Sequence, residues 1–209
     1  MKSDPNYGKK GNQTLQKFLA RGFSLLVRKG VSSTLLEDIL TYCDLKKGSF
    51  YYYFESKEQF IAACFTACYY EPVLQITQEL TQTPGQSFED IAAFFLAVID
   101  RMQTWLDENL AEHTVPLVNI YAQTSFHRPV EEPSFHRQNT LQAEWVCDVL
   151  THMQQKGALR ADADCGQVAQ LIDHAWGGVL LSWVHHGDPD QLRRQWYADI
   201  ALFESFLTK

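Results

Sequence analysis

Between residues 46 and 57 the chain gathers groups that suit a polyanion. Lys46 and Lys47 bring adjacent ammonium charges, Gly48 has no side chain, Ser49 offers a small hydroxyl, and Tyr51, Tyr52 and Tyr53 bring three phenols in succession. An ammonium attracts a phosphate, and hydroxyls can contact phosphate oxygens or base edges. A missing Cβ lets backbone approach a phosphate closely. Successive helical residues point about 100° apart, so three neighbouring tyrosines cannot all face inward. Phe50 and Phe54, four apart, supply the inward face instead. Lys57 follows in the first turn of the next helix, where backbone N–H groups also favour anions. Taken singly, these residues also fit a small helical core with solvated lysines and packing tyrosines. The arrangement as a whole favours the polyanion.

Charge is distributed in the same sense. The 209 residues carry a formal net charge of -7, yet residues 1–60 hold ten Lys and Arg against six Asp and Glu, a net +4. Residues 61–209 hold eight against nineteen, a net -11. Only the first segment is suited to face phosphates; the acidic remainder is repelled by them. No run approaches the roughly 20 apolar residues of a membrane span, and the first eleven residues lack the apolar stretch of a signal peptide. The expectation is a cytoplasmic protein with no membrane partner. Five cysteines do not read as a secreted disulfide framework.

The elements that must position these groups are helices. Residues 1–11, with Pro5, Gly8, Gly11 and three lysines, read as a flexible basic arm or as a terminus without a role. Leu15, Phe18, Leu19, Leu26 and Val27 recur at helical spacing, and Gly30 closes that helix. Thr34-Leu35-Leu36-Glu37 is a capping pattern that starts a short second helix with Leu36, Ile39, Leu40 and Cys43 inward. Asp44-Leu45-Lys46 is the turn, the tyrosine segment is the third helix, and Ser56 with Gln59 caps the next. This is a helix-turn-helix layout. Pro72 should kink or break the helix that follows. Thr83-Pro84-Gly85 is a stop, Ser87 starts a helix to about Asn109, and residues 110–134 are irregular with one short helix. Helices over 135–156, 164–186 and 190–206 complete an all-α chain. The expected domains are the arm at 1–11, the reader at 12–60 and a helical body at 61–209.

Residues 25–31, 34–39, 47–54 and 56–58 keep the order and spacing of one signature without a gap, and on these segments the chain resembles the TetR family. The resemblance implies an all-α protein: a three-helix helix-turn-helix domain followed by a larger helical domain for ligand binding and dimerisation. It implies a DNA-binding transcriptional regulator, acting as a ligand-released homodimeric repressor on palindromic operator DNA. Lys47, Ser49, Tyr52 and Tyr53 would then contact the groove, while Thr34, Tyr51 and Lys57 hold phosphates and Gly48 permits close approach. Two departures stand out. The turn usually reads Gly-Val-Ser; here Asp44 must adopt the left-handed conformation, which Asp tolerates. Lys46 replaces the usual capping Ser, weakening the cap but adding a phosphate-seeking charge. Alternatives are a helical binding module that has lost DNA binding and a motif-less helical enzyme. No phosphate loop, nucleophile elbow or His-Glu-x-x-His helix is present.

In the body, Trp176–Pro189 resembles a TetR subgroup that includes repressors sensing electrophiles. That subgroup has a cysteine before a mid-chain proline, where this chain has Val115-Pro116. Gly177 and Gly178 fit a close helix approach at a two-fold seam, or packing within one subunit; Leu181, Trp196 and Phe203 join them as the expected dimer interface. Met102, Trp105, Asn119, Phe126, Trp145 and Trp176 are the expected lining of a pocket for a small-molecule effector, with plain core packing as the alternative. His113, His127 and His136 are pocket or surface residues. Cys64 and Cys68, four apart, fit a redox or metal pair less well than two buried small residues. No metal or cofactor is expected. Pro72 is the expected bend about which the reader pivots.

Overall fold

Side chains that cap their own backbone set where the helices start. The computed structural model describes residues 9–110, 115–126 and 133–208. Its helices are α1 (Lys9–Lys29), α2 (Leu36–Tyr42), α3 (Lys47–Tyr53), α4 (Lys57–Phe65), α5 (Glu71–Leu80), α6 (Phe88–Asn109), α7 (Leu117–Phe126), α8 (Pro133–Gln155), α9 (Cys165–His186) and α10 (Pro189–Leu207). Among the described residues the extended pairing is one isolated bridge, Leu159 with Thr208. α1 begins at Lys9, inside the segment expected as an arm; residues 1–8 lie outside the described residues, as do His113 and His127.

The caps at Ser56 and Ser87 follow the sequence. The Gln59 N–H donates to Ser56 Oγ at 3.2 Å while Gln59 Oε1 accepts from the Glu55 N–H at 2.7 Å. The Asp90 N–H donates to Ser87 Oγ at 3.1 Å, and Asp90 accepts from the Gln86 N–H. Asp164 and Asp188 cap α9 and α10. Orphan donors at helix starts are satisfied in this way.

Pro72 neither breaks nor ends its helix. A π-helical turn over Thr66–Tyr70 joins α4 to α5, and the Glu71 N–H donates to the Thr66 carbonyl five residues back. The wider turn accommodates a residue that has no N–H to give and whose ring would crowd the preceding turn.

The described residues fall into two compact units, one within Met1–Pro72 and Gln103–Ser134, the other within Val73–Met102 and Phe135–Lys209. The expected division at residue 60 groups the chain differently: the first unit runs on to Pro72 and takes in α7. Its core holds Phe50, Phe54 and Phe60, with ring centroids 5.0 to 5.6 Å apart, and Phe23 edge-on to Phe65 at 5.2 Å. α1 crosses α4 at Gly22, where a Cβ would lie 2.2 Å from the Phe60 ring. Only a residue without a side chain permits that approach. Gln123 of α7 accepts from the Val31 N–H at 3.2 Å, holding the start of the α1–α2 connection.

The second unit is built on tryptophans. Phe95, Trp176 and Trp196 pack with centroids 4.9 to 5.2 Å apart, and Trp196 Nε1 donates to the Ala92 carbonyl at 3.1 Å. Phe94 stacks on Trp145 at 4.4 Å, and Trp145 Nε1 donates to the Thr83 carbonyl at 2.9 Å. The indole N–H groups of Trp145 and Trp196 thus each have an acceptor, as burial of a polar group favours.

Candidate nucleic-acid interface

α3 is short, and two of its aromatic neighbours tie it down. Phe50 and Phe54 are fully buried against Phe60, so the opposite side of the helix must face water. Lys46, Lys47, Gly48 and Ser49 are all exposed, Tyr51 is exposed, and Tyr52 is 60% exposed. A Cβ on Gly48 would meet nothing within 4 Å, so the space before its backbone is open. Tyr53 is half-buried, edge-on to Phe18 at 6.0 Å and to Tyr52 at 5.0 Å. The result is a continuous outward face of two ammonium groups, one hydroxyl and phenols on a helix seven residues long.

The turn that aims this face adopts the conformation its sequence implies. Asp44 has φ 54, and among the described residues no other non-glycine has a positive φ. The Leu45 N–H donates to the Leu40 carbonyl at 2.8 Å, closing α2 around it. Lys46 stands at the start of α3 and makes no side-chain cap, which leaves its ammonium for solvent or a ligand.

Two expected phosphate contacts turn out to be used inside the fold. Thr34 is fully buried, and its hydroxyl donates to the Gly30 carbonyl at 2.7 Å. Its side chain cannot meet a phosphate. Nor does it cap α2, which starts a residue later than expected: Leu35 holds the cap position, and the Asp38 carboxylate accepts from the Leu35 N–H at 2.8 Å. The Lys29 ammonium also bonds Asp38, and these two partners, Lys29 first, hold the Asp38 carboxyl below its ordinary value. Lys57 is half-buried and donates to the Thr34 carbonyl at 3.1 Å, so its ammonium braces α4 against the start of α2. Sequence spacing placed both residues near the interface, but not the direction in which their polar atoms point.

The other expected sites separate in the same manner. Met102, Trp145 and Trp176 are buried in the second unit. Trp105 is half-buried and Asn119 exposed, and both belong to the first unit; the Phe126 side chain lies outside the described residues. Gly177 and Gly178 are exposed on α9, and a Cβ on either meets nothing within 4 Å, so nothing among the described residues requires glycine there. Leu181 is exposed and Phe203 half-buried. Trp196 is a correction: it is fully buried between Phe95 and Trp176, because α10 turns that side toward its own unit. What the outer sides of α9 and α10 present instead is Leu171, Leu181, Tyr197, Leu202 and Phe206, the last 66% exposed. Sequence reasoning missed four of these five, although each lies off the buried 169–172–176–179–183 or 192–196–200 series.

The three buried thiols are quiet. Burial pushes Cys43 up to about 11 and Cys68 up to about 12, and raises Cys64 as well. A thiol held protonated is a poor nucleophile. His136, His185 and His186 are exposed. Among the described residues no three His, Cys, Asp or Glu cluster as metal ligands, and no helix is long and apolar enough to cross a membrane.

A helix-turn-helix whose third helix shows cations, a hydroxyl and phenols to solvent, followed by a helical body, defines a DNA-binding transcriptional regulator. Residues 18–64 match the family described as "Bacterial regulatory proteins, tetR family". The chain is similar to the probable acrEF/envCD operon repressor of Escherichia coli K12, 25% identical over 191 residues that cover 82% of this chain and 76% of that one. Among solved structures it resembles the reduced form of E. coli NemR, with TM-score 0.59, 20% identity and coverage of 94% and 97%. It also resembles Bacillus subtilis FadR in complex with stearoyl-CoA, with TM-score 0.62, 16% identity and coverage of 90% and 97%. Residues 18–64 are thus a tetR-family domain, and the curated relatives that the chain matches are transcriptional repressors, not enzymes.

Proposed function

We propose that the protein is a repressor that binds a palindromic operator as a homodimer and is released from it by a small apolar or amphipathic molecule. The observation that carries the DNA half is the outward face of α3, from Lys46 to Tyr52, propped on buried Phe50 and Phe54. Lys46 and Tyr51 serve phosphates, while Lys47, Ser49, Tyr52 and Tyr53 serve the groove, and Gly48 lets backbone come near. Lys57 supports this face through the Thr34 carbonyl. The dimer half is supported by the apolar residues that α9 and α10 leave in water and by two glycines with open space before them. Helices of two copies meeting there would bury Leu171, Leu181, Leu202 and Phe206 in a bundle. Two readers so joined suit half-sites one helical turn apart, about 34 Å. The partners are then double-stranded operator DNA, a second copy and an effector, and the site of action is the cytoplasm.

An effector shifts operator affinity only if it binds two arrangements of the protein unequally. The chain passes from one compact unit to the other at Pro72, behind the π-turn, and that junction is the proposed pivot. Pro72→Ala that changed neither operator affinity nor effector response would remove this part.

The decisive test is a titration of duplex DNA carrying the gene's own upstream region, at several salt concentrations. Binding should weaken steeply with salt, as phosphate contacts release counterions. A chain that shifts no upstream DNA at low salt, or binds it with no salt dependence, is a binding module instead.

A further inference from the structure

Within the first unit, away from the outer face of α3, a cavity of about 540 Å³ opens between α1, the end of α2 and the end of α6. That volume lies in the range of small-molecule sites, roughly 300–1,000 Å³. Its apolar wall is Phe18, Cys43 and Leu110; the last two are buried. The thiol of Cys43, kept protonated by burial, belongs to that wall and is no nucleophile.

Two cations one helical turn apart on α1, Lys17 and Arg21, also line it. Arg21 stands out. Its Nε–H is buried and has no hydrogen-bond partner among the described residues, and its guanidinium lies 5.8 Å from the centroid of the Tyr42 ring. Among the described residues no carboxylate lies within ion-pair distance of it, although Asp44 and Glu108 sit exposed at the rim. A buried donor without an acceptor is costly, so a ligand oxygen would complete the site. The guanidinium fork matches the two oxygens of a carboxylate. The exposed rim carboxylates offset part of the pull of the two cations, which disfavours a multiply charged phosphate more than a singly charged group.

We propose that this cavity is a binding site for an amphipathic monocarboxylate. The carboxylate lies on Arg21 and Lys17, and the hydrocarbon body lies over Phe18, Cys43 and Leu110. Because Asp44 is the turn residue that aims α3, an occupant here touches the reader itself.

The test is calorimetric titration of the full chain with octanoate and, as its uncharged counterpart, octan-1-ol. Octanoate should bind saturably at one per chain. Arg21→Met should weaken it roughly tenfold or more, the loss expected when a charged hydrogen bond is removed, and Ala20→Phe, which fills the cavity from α1, should do the same. Octanol should be insensitive to Arg21→Met. Circular dichroism checks both folds, and Lys17→Met supplies the charge-removal arm if Arg21→Met loses helix. Absence of saturable binding at about ten millimolar overturns the proposal, as does unchanged affinity in the charge-removal variant or in Ala20→Phe. The free protein is titrated, so the outcome is independent of operator recognition.

Discussion

α3 and the α9–α10 pair both leave large side chains in water, and they leave opposite kinds. α3 presents Lys46, Lys47, Ser49 and two exposed tyrosines, groups that interact well with solvent and with charged oxygens. α9 and α10 present Leu171, Leu181, Leu202 and Phe206, groups that gain nothing from solvent. The apolar area lost to water on α9 and α10 is recovered only when another apolar surface covers it. α3 needs no such cover, because its exposed groups are hydrated until a polyanion replaces the water. The kind of exposed group, more than the amount of exposure, separates a nucleic-acid face from a protein face. Yet both faces stand on similar foundations, a buried aromatic trio: Phe50, Phe54 and Phe60 in one unit, Phe95, Trp176 and Trp196 in the other.

The sharpest way to break the comparison is to remove a foundation. Phe50→Ala should cost about 3–5 kcal/mol, as deletion of a buried aromatic does, and urea denaturation followed by circular dichroism reads it. A loss under about 1 kcal/mol would mean that α3 is not propped as described. Next is the apolar face: Leu181→Asp with Leu202→Asp should weaken self-association roughly a hundredfold, by lost burial and repulsion between copies. Sedimentation should then show monomer at concentrations where the proposal has the unmodified chain dimeric, and an unchanged dimer would place the seam elsewhere. At the start of α3, Lys46→Ala should reduce operator affinity roughly tenfold and lower the salt slope by about one. An unchanged slope would show that its ammonium does not reach a phosphate. The smallest effect is at Asp38. Its folded value is depressed by Lys29 and the Leu35 N–H, so its contribution is present above the ordinary carboxylate value of 3.8 and is lost as pH falls through the lower folded value. Asp38→Asn should flatten the acid limb of thermal stability slightly, and a steeper limb would contradict the assignment.

Features that depend on a side chain and its own backbone were legible in the sequence. The caps at Ser56 and Ser87 need a hydroxyl and an acceptor three residues on, and both formed. Asp44 was readable because few residues tolerate a positive φ at a turn. What was not legible depends on neighbours far along the chain. The burial of Thr34 follows from the Gly30 carbonyl and from Lys57 pressing on its own carbonyl, neither of which spacing reveals. Asp38, not Thr34 with Glu37, organises the start of α2 because it also meets Lys29. Trp196 sits on a recurring face of α10, but periodicity gives a face without saying which partner covers it. Pro72 announced a disturbance in its helix; whether a kink, a break or a π-turn absorbs it is decided by packing.

Gly22 carries a last implication. Its lone hydrogen sits where a methyl carbon would overlap the Phe60 ring, so the spacing of two long rods is fixed by an atom that makes no chemical contact with any ligand. Gly22→Ala would have to prise those rods apart, and Phe60 props Phe50 and Phe54 in turn. The placing of the outward phenols is therefore set partly from behind, by the thinnest point in the scaffold.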